Sequence, residues 1–435
     1  MNFLQAKKIH FIGIGGIAVS AIAKLAHHNG ITITGSDISE SKITRELEQF
    51  LDIDICIGHN PDIINLDTDI AIYSPAIEKI NPEYQKILSL NIPIISYAEA
   101  IGQISKEQTT ITISGTNGKT TTTSMLVECM KYLEVHPTVI IGGILQKYNS
   151  NFLSGDSEYF ITEACEYKRS FLNIHHDIAV ITNITLDHLD YFKDMEDIQS
   201  AFISFIKNKK GTGKIICNKN LKELKPIIEY AEKNNIHVFD YSKYLDNKYQ
   251  ISIPGEHNRQ NMAAALAVIE SLGLNIDKSA KYLSSPEFSG VKRRMEHIGE
   301  TKHGAILYDD YAHNPEGIEL LINGFTKQHP DKKIIILFEP HLYSRTEDFK
   351  EEFGRTLSLA DILYLFPVYK AREKSQPKKD FLLEKYISKK ENFYIVKNPE
   401  KFEEIFKERK YDKNYIVVTV GAGDIWQHGL SIKIN

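Results

Sequence analysis

The feature that most constrains the fold is the stretch of residues 111–123, which reads ITISGTNGKTTTT. Its alternating β-branched residues predict a strand that ends at Ser114, and Lys119 begins a predicted helix. The turn between them presents backbone N–H groups at a helix N-terminus, where they and the helix dipole attract phosphate. A lysine there reaches the outer phosphates, and a following threonine hydroxyl binds magnesium. The stretch therefore predicts a nucleotide site formed by Gly115, Thr116, Asn117, Gly118, Lys119, Thr120 and Thr121.

This stretch departs from the complete P-loop pattern at one position. The pattern has a glycine five residues before Gly118, where this chain has Ile113. The alternative interpretation is a glycine-rich turn between strand and helix with a solvated Lys119. The order of strand, turn, lysine and threonine favours nucleotide binding.

Composition sets the broad class of the protein. A chain of 435 residues has the length of two to four domains, and its net charge of −5 gives no reason to expect a nucleic-acid partner. The four cysteines are far apart in sequence, which suggests neither disulfides nor a zinc site. No apolar run approaches the roughly 18 residues of a membrane span, and the start shows no cleavable signal pattern. We expect a cytoplasmic protein that does not contact a membrane.

A first domain, residues 1–105, opens with a Rossmann-type pattern. Gly13, Gly15 and Ala18 match G-x-G-x-x-G/A after a buried strand, and Asp37 follows the second strand, where it can bond a ribose. A further strand runs into a loop at Ser74. The pattern predicts a diphosphate on the helix N-terminus. The alternative is that the glycines serve only the packing of helix on strand.

A central domain, residues 106–296, carries polar side chains at successive strand ends. Because parallel strands present their carboxyl ends at one edge of a sheet, these side chains are expected in one crevice. Carboxylate and hydroxyl oxygens beside phosphates suit magnesium, and an imidazole is a plausible addition. The alternative for His188 is a surface histidine bonded to a neighbouring carboxylate. The strand ends carry Lys119 and Thr120, then Glu163 and Glu166, then Asn183, Asp187 and His188.

Two further groups of residues are candidates for binding. Asn258 and Asn261 begin an alanine-rich helix, where an amide reads an adenine edge or, alternatively, caps the helix. In a third domain, residues 297–435, polar residues follow two predicted strands and suggest a facing half-site. Single residues of this kind are alternatively helix caps. This second group is Asp309, Asp310, His313, His341 and Arg345.

Together these pieces resemble the Mur ligase family, the ATP-dependent amide ligases of peptidoglycan precursor synthesis. The resemblance covers the whole chain, and its nearest branch adds L-alanine to UDP-N-acetylmuramate. It rests on the stretches HFIGIGGIAVSAIA, SGTNGKTTTT, EACEYKRSFL, ITNITLDHLDYF, PGEHNRQNMAAAL, KRRME, YDDYAHNPEG, EPHLYSRT and GAGDIW.

The resemblance implies a three-domain α/β fold. Its N-terminal domain would be Rossmann-like and bind the UDP-sugar, and its central domain would be P-loop ATPase-like with a parallel or mixed sheet. Its C-terminal domain would be Rossmann-like and bind the amino acid. The implied substrates are ATP, UDP-N-acetylmuramate and L-alanine, with Mg²⁺ as cofactor, in a monomer or homodimer.

The resemblance also implies roles for individual residues. The UDP diphosphate would face Gly13, Gly15 and Gly16, and the β- and γ-phosphates would bind Lys119. Magnesium would bind Thr120, Glu163 and His188. The adenine would bind Asn258 or Asn261, while Arg294 and Asp310 would reach the nucleotide. The incoming amino acid would meet His313 and Arg345, with His313 the candidate base.

Several positions depart from the nearest branch. Asn117 and Asn314 stand where histidines are usual, and Leu342 stands where many members have an arginine. The loss of a cation at Leu342 bears on which amino acid is bound. Phe202 stands where sister ligases have a carbamylated lysine, which agrees with the L-alanine branch. Three alternatives remain open: a ligase for murein tripeptide, a nicotinamide-dependent dehydrogenase and a non-enzymatic P-loop protein.

Overall fold

The structure is a computed structural model that describes residues 2–188, 191–245, 248–249, 251–253, 255–370, 373, 382–388 and 391–434. Within these ranges the strands form three sheets, of five, seven and six strands. Helices flank each sheet in sequence, which makes this a three-domain α/β fold, as the sequence predicts. Among the described residues, no helix combines the length and the apolar character that crossing a membrane requires.

The first sheet is entirely parallel, with the order β3-β2-β1-β4-β5. The chain moves outward from β1 to β3 and then crosses to β4 on the other side, which creates a switch point between β1 and β4. Its strands are β1 (Lys8–Ile12), β2 (Thr32–Asp37), β3 (Asp54–Ile57), β4 (Ile70–Tyr73) and β5 (Ile94–Ser96). Its helices are α1 (Ile17–His28), α2 (Lys42–Leu51), α3 (Pro82–Ser89) and α4 (Tyr97–Glu107).

The second sheet is mixed, with the order β12-β11-β10-β6-β9-β7-β8, and only β8 runs antiparallel, against β7. Its strands are β6 (Thr109–Ser114), β7 (Thr138–Leu145), β8 (Ser150–Leu153), β9 (Tyr159–Ala164), β10 (His176–Ile181), β11 (Lys209–Cys217) and β12 (His237–Asp240). The helices that follow in this part of the chain are α5 (Lys119–Tyr132), α6 (Met195–Ile206), α7 (Lys225–Lys233), α8 (Glu256–Ser271) and α9 (Ile276–Leu283).

The third sheet has the order β13-β14-β18-β15-β16-β17, with β13 antiparallel to β14 and the other pairs parallel. Its strands are β13 (Glu296–Glu300), β14 (Ile306–Asp310), β15 (Lys333–Phe338), β16 (Ile362–Leu365), β17 (Phe393–Ile395) and β18 (Tyr415–Val420). Its helices are α10 (Pro315–Gln328), α11 (Tyr343–Asp348), α12 (Lys350–Leu357), α13 (Phe402–Glu408) and α14 (Trp426–Ser431).

The chain divides into two compact units. One comprises Met1–Gln250 and Gln260–Ser289, and the other comprises Ile251–Arg259 and Gly290–Asn435. In the first unit a single apolar core joins the first two sheets, because α4 buries Ile101 and Ile104 in the same cluster as Phe171. The boundaries at residues 105 and 296 remain predictions from the sequence.

Candidate active site

The glycine turn after β1 lies at the switch point of the first sheet. The N–H groups of Gly13 and Ile14 donate to the main-chain oxygen of Ser36, at 2.8 and 3.0 Å. Gly13 has φ +79°, and a Cβ there would lie 2.9 Å from the Cβ of Ser74. Only glycine fits so close to the neighbouring strand end in that backbone conformation.

Asp37 closes the same turn from the end of β2. Its Oδ2 accepts a hydrogen bond from the N–H of Gly15 at 2.9 Å, and Gly16 is the N-cap of α1. The structure thus brings together five residues predicted to bind substrate, Gly13, Gly15, Gly16, Asp37 and Ser74, and their binding role stays a prediction. Backbone N–H groups at a helix N-terminus beyond a parallel sheet form a site suited to an anion.

The loop between β6 and α5 is shaped by the end of β10. Asn183 forms a pair of 3.0 Å hydrogen bonds with Asn117, accepting from its N–H and donating to its carbonyl. The carbonyl of Asn183 also accepts from the N–H of Thr116 at 3.0 Å. Two glycines have positive φ, +123° at Gly115 and +87° at Gly118. The helix begins at Lys119, as predicted from the sequence.

Lys119 is anchored inside this loop. Its Nζ donates to the carbonyl of Gly115 at 2.5 Å and of Thr116 at 3.1 Å, and it lies 3.1 Å from Oε2 of Glu166. Burial opposes the ammonium charge, but the Glu166 carboxylate outweighs it and the pKa of Lys119 is raised above its usual range. The side chain therefore carries its positive charge in a loop that attracts phosphate.

Glu163 lies at the end of β9 and faces the first turn of α5. Its Oε2 accepts from the hydroxyl of Thr120 at 2.9 Å, and its Oε1 accepts from the N–H of Gly142 at 2.7 Å. Thr121 follows on α5 and is half-buried. Within the described residues, no group of three or more His, Cys, Asp or Glu is arranged to hold a metal ion.

His188 lies near the Glu166 carboxylate, and its backbone has a positive φ. Its Nε2 is 3.9 Å from Oε1 of Glu166, and its ring centre is 4.6 Å from that of Tyr167. His188, Lys168 and Arg169 all have positive φ, of +54°, +50° and +55°. Strained backbone at several neighbouring non-glycine residues is typical of functional sites.

The two asparagines of the α8 region have different surroundings. Oδ1 of Asn261 accepts from the hydroxyl of Thr122 at 3.2 Å, and a Cβ on Gly118 would lie 2.2 Å from it. Asn261 therefore packs against the phosphate loop. In the second unit, Asn258 is buried and its Nδ2 lies 3.4 Å from the sulfur of Met295.

Asp310, at the end of β14, organises the backbone around it. Its carboxylate accepts hydrogen bonds from the N–H groups of Met295 and Ala312, each at 2.7 Å. Burial raises the pKa of Asp310, although the Arg294 guanidinium and these two bonds oppose the rise. The guanidinium of Arg294 lies 5.3 Å from the ring centre of Tyr311.

His313 and Arg345 lie near each other in the second unit. Burial, together with the nearby Arg345 guanidinium, lowers the pKa of His313 to about 3. Its Nδ1 is 3.0 Å from the carbonyl of Tyr311, and the rings of His313 and His341 are 6.0 Å apart. A neutral imidazole that donates from Nδ1 leaves Nε2 as an acceptor.

The start of α11, which carries Arg345, is fixed by a strained residue. Leu342 has φ +70°, yet its N–H donates to the carbonyl of Tyr369 at 2.9 Å and its carbonyl accepts from the hydroxyl of Thr346 at 2.6 Å. These bonds hold a conformation that a leucine rarely adopts.

Some residues of the site were not expected from the sequence. Gly142 and Ser36 act through backbone atoms, so their side chains give no signal in the sequence. The Thr182 hydroxyl lies so close to Gly115 that it leaves no room for a Cβ there. Glu166 and Asn183 were expected in the crevice at the strand ends, but their contacts with Lys119 and Asn117 were not predicted. The signal for both is a polar residue at the end of a buried strand.

The fold and the site define an α/β nucleotide-binding protein with a phosphate loop. Family models give a closer classification. The "Mur ligase family, catalytic domain" matches residues 8–109, the "Mur ligase middle domain" matches residues 113–269, and the "Mur ligase, glutamate ligase domain" matches residues 293–423.

Individual relatives agree with this classification. The chain is 35% identical over 460 residues to UDP-N-acetylmuramate--L-alanine ligase of Agathobacter rectalis, covering 99% of this chain and 98% of the relative. A solved UDP-N-acetylmuramate-alanine ligase from Thermotoga maritima matches with a TM-score of 0.81 and 26% identity, covering 98% of each chain. A murein peptide ligase from Psychrobacter arcticus matches in fold, with a TM-score of 0.69, 22% identity and 98% coverage of each chain. The chain belongs to the Mur ligase family and is an enzyme of the ligase class.

Proposed function

We propose that the protein joins L-alanine to the lactyl carboxylate of UDP-N-acetylmuramate with hydrolysis of ATP, in peptidoglycan precursor synthesis. The observation that carries the proposal is the charged Lys119 held by Glu166 in a phosphate loop. It occurs in a chain whose relatives along its whole length are named as ligases of this kind. A nicotinamide-dependent dehydrogenase would use the glycine turn after β1 but would have no use for the loop before α5. A ligase that consumes ATP uses both.

The diphosphate of the sugar nucleotide is assigned to the turn after β1. The N-terminus of α1 favours negative charge, and Gly13, Gly15 and Gly16 let the backbone approach phosphate closely. Asp37 and Ser74 line the same turn. This position leaves the sugar and its lactyl group to extend beyond the carboxyl ends of the strands.

Activation of the carboxylate is assigned to the loop before α5. A lactyl carboxylate oxygen attacks the γ-phosphorus of ATP, the bond from that phosphorus to the β,γ-bridging oxygen breaks, and an acyl phosphate and ADP form. Lys119 places its positive charge where charge builds up on the transferring group. Glu166 and the loop carbonyls keep the ammonium in place.

The residues around Thr120 fit Mg²⁺. The Thr120 hydroxyl and the Glu163 carboxylate are adjacent hard-oxygen donors, and Mg²⁺ beside phosphates usually takes one or two carboxylates with water and substrate oxygens. We assign Thr120 and Glu163 as its ligands, with His188 as a further candidate. When bound, the ion would neutralise phosphate charge.

The second step is assigned to the third domain. The amine of L-alanine attacks the carbonyl carbon of the acyl phosphate, the bond to the phosphate oxygen breaks, and inorganic phosphate leaves as the nitrogen loses its proton. Arg345 is the candidate partner of the amino acid's carboxylate, and neutral His313 has a free acceptor nitrogen in the Nδ1–H tautomer. The roles of Asn258, Asn261, Arg294 and Asp310 toward the nucleotide stay predictions.

The test is phosphate release by the purified protein with ATP, Mg²⁺ and UDP-N-acetylmuramate. Separate reactions receive L-alanine, glycine, L-serine or a murein tripeptide, and matched reactions omit the sugar nucleotide. The proposal expects release only with both the sugar nucleotide and L-alanine. Release only with the tripeptide would replace L-alanine by the peptide, and no release with any acceptor would contradict ligation.

A further inference from the structure

Asn151 is a fully buried residue of β8 whose side-chain polar atoms all bind α1. Its Nδ2 donates to the main-chain oxygen of Ile17 and to the hydroxyl of Ser20, the latter at 2.8 Å. Its Oδ1 accepts from Nζ of Lys24 at 2.8 Å. The amide thus uses both donors and its acceptor on one helix, which fixes its orientation.

The helix that Asn151 holds is the one that begins at the diphosphate site. Ile17 is the first residue of α1 and follows its N-cap, Gly16, the last glycine of the turn after β1. Asn151 therefore binds the first turn of α1, the helix whose N-terminus is assigned to the sugar nucleotide.

The strand that carries Asn151 also leads to the phosphate loop. β8 pairs with β7, and β7 contains Gly142, whose N–H donates to Glu163 at 2.7 Å. The same carboxylate accepts from the hydroxyl of Thr120 in the first turn of α5. Within the first unit, the β7–β8 hairpin therefore contacts α1 at the proposed diphosphate site and Glu163 beside the phosphate loop.

We propose that Asn151 is a positioning residue that sets the placement of the sugar nucleotide's carboxylate relative to the γ-phosphate of ATP. The inference rests on the proposed function. Phosphoryl transfer needs the reacting atoms within about 3–3.5 Å, and a small misplacement of two well-bound substrates slows the reaction without weakening either one's binding. Asn151 acts through α1 and the hairpin, and it does not touch the reacting groups.

The experiment compares Asn151→Ala with the wild type in full-length protein. Dissociation constants are measured for UDP-N-acetylmuramate and for a non-hydrolysable ATP analogue, and kcat is measured with saturating substrates. We expect kcat to fall about 10- to 100-fold while both dissociation constants stay within about twofold. Lys24→Met, which leaves both donor bonds of Asn151 in place, should give a smaller fall in kcat.

Ser154→Ala is the matched control. Ser154 follows β8, and its hydroxyl lies 2.8 Å from Nε2 of His28 in the last turn of α1, where it joins the same two elements at an exposed position. This variant should keep the wild-type kcat. Unchanged kcat in Asn151→Ala would overturn the inference. The inference would also be overturned if Asn151→Ala lost affinity for both ligands while Lys24→Met kept the wild-type kcat. That pattern would mark Asn151 as a purely structural residue. A wild-type protein that makes no product would instead count against the proposed function.

Discussion

Nζ of Lys119 lies 3.1 Å from Oε2 of Glu166, a carboxylate whose side chain is 3% exposed. Burial costs both groups hydration, and the adjacent carboxylate keeps the pKa of the Lys119 ammonium above its usual range despite that burial. The same ammonium also donates to the carbonyls of Gly115 and Thr116. The loop is thus supplied with a fixed positive charge at the start of α5.

Replacing Glu166 by Gln should lower the pKa of Lys119. Without the carboxylate, burial disfavours the charged ammonium more strongly, so Lys119 should lose its proton at a lower pH than in the wild type. Activity should therefore be lost at a lower alkaline pH in the variant. In the wild type, the raised pKa adds stability that is complete below the ordinary lysine value of about 10.4 and is lost as pH rises through the higher folded value. The pH dependence of kcat between pH 7 and 10.5 should show an alkaline loss of activity in the variant that the wild type does not show. Glu158→Gln, an exposed carboxylate just before β9, should leave the profile unchanged.

Replacing Lys119 by Met should reduce kcat about 100- to 1000-fold, because the methionine keeps the apolar stem and removes the charge that stabilises the transferring phosphoryl group. Steady-state kinetics with saturating ATP measure the loss. Lys131→Met, in the last turn of the same helix, is the control and should keep wild-type kcat. Equal losses in the two variants would show that the helix, and not the loop charge, is responsible.

Gly118→Ala should destabilise the phosphate loop by about 2 to 3 kcal/mol. The added Cβ would lie 2.2 Å from Oδ1 of Asn261, and φ of +87° disfavours any side chain. Because the nearest atoms belong to a side chain, Asn261→Ala in the same protein should recover part of the loss. Thermal unfolding of both single variants and the double variant measures the coupling. Strict additivity would contradict the predicted contact.

Stability should fall with acid partly through His176, a fully buried residue of β10. Burial lowers the pKa of His176 to about 4, so the unfolded chain binds a proton that the folded protein does not bind between about pH 6.5 and pH 4. Stability therefore rises with pH across this window, by about 1 kcal/mol per pH unit for one histidine. Chemical unfolding of the wild type and His176→Leu between pH 4.5 and 7 should show a smaller slope in the variant. Equal slopes of unfolding free energy against pH in the two proteins would show that His176 is not the group with the lowered pKa.

Much of the fold follows from the sequence because its local signals agree with one another. The glycine turns at Gly13 and Gly118, the alternating strand β6 and the start of α5 at Lys119 combine backbone requirements with apolar periodicity. The rule that ligands bind beyond the carboxyl ends of parallel strands then brings Glu163 and His188 toward the same loop.

The contacts that complete the site could not be predicted in this way. Asn151 is distant in sequence from Ile17, and its interaction depends on how β8 packs on α1. Gly142 acts through its N–H, which every residue except proline also has. The pKa of His313, in the loop before α10, depends on burial and on Arg345, which lies on α11. Such features arise from tertiary packing and leave no periodic signal.

The most direct test of the central claim follows an oxygen atom. UDP-N-acetylmuramate labelled with ¹⁸O in both oxygens of its lactyl carboxylate is incubated with ATP, Mg²⁺ and L-alanine. The masses of the inorganic phosphate and of the alanyl product are then measured by mass spectrometry. Because one carboxylate oxygen attacks the γ-phosphorus, each molecule of inorganic phosphate should carry one ¹⁸O and each new amide should retain one. Unlabelled phosphate, or phosphate formed without the alanyl product, would contradict ligation through an acyl phosphate.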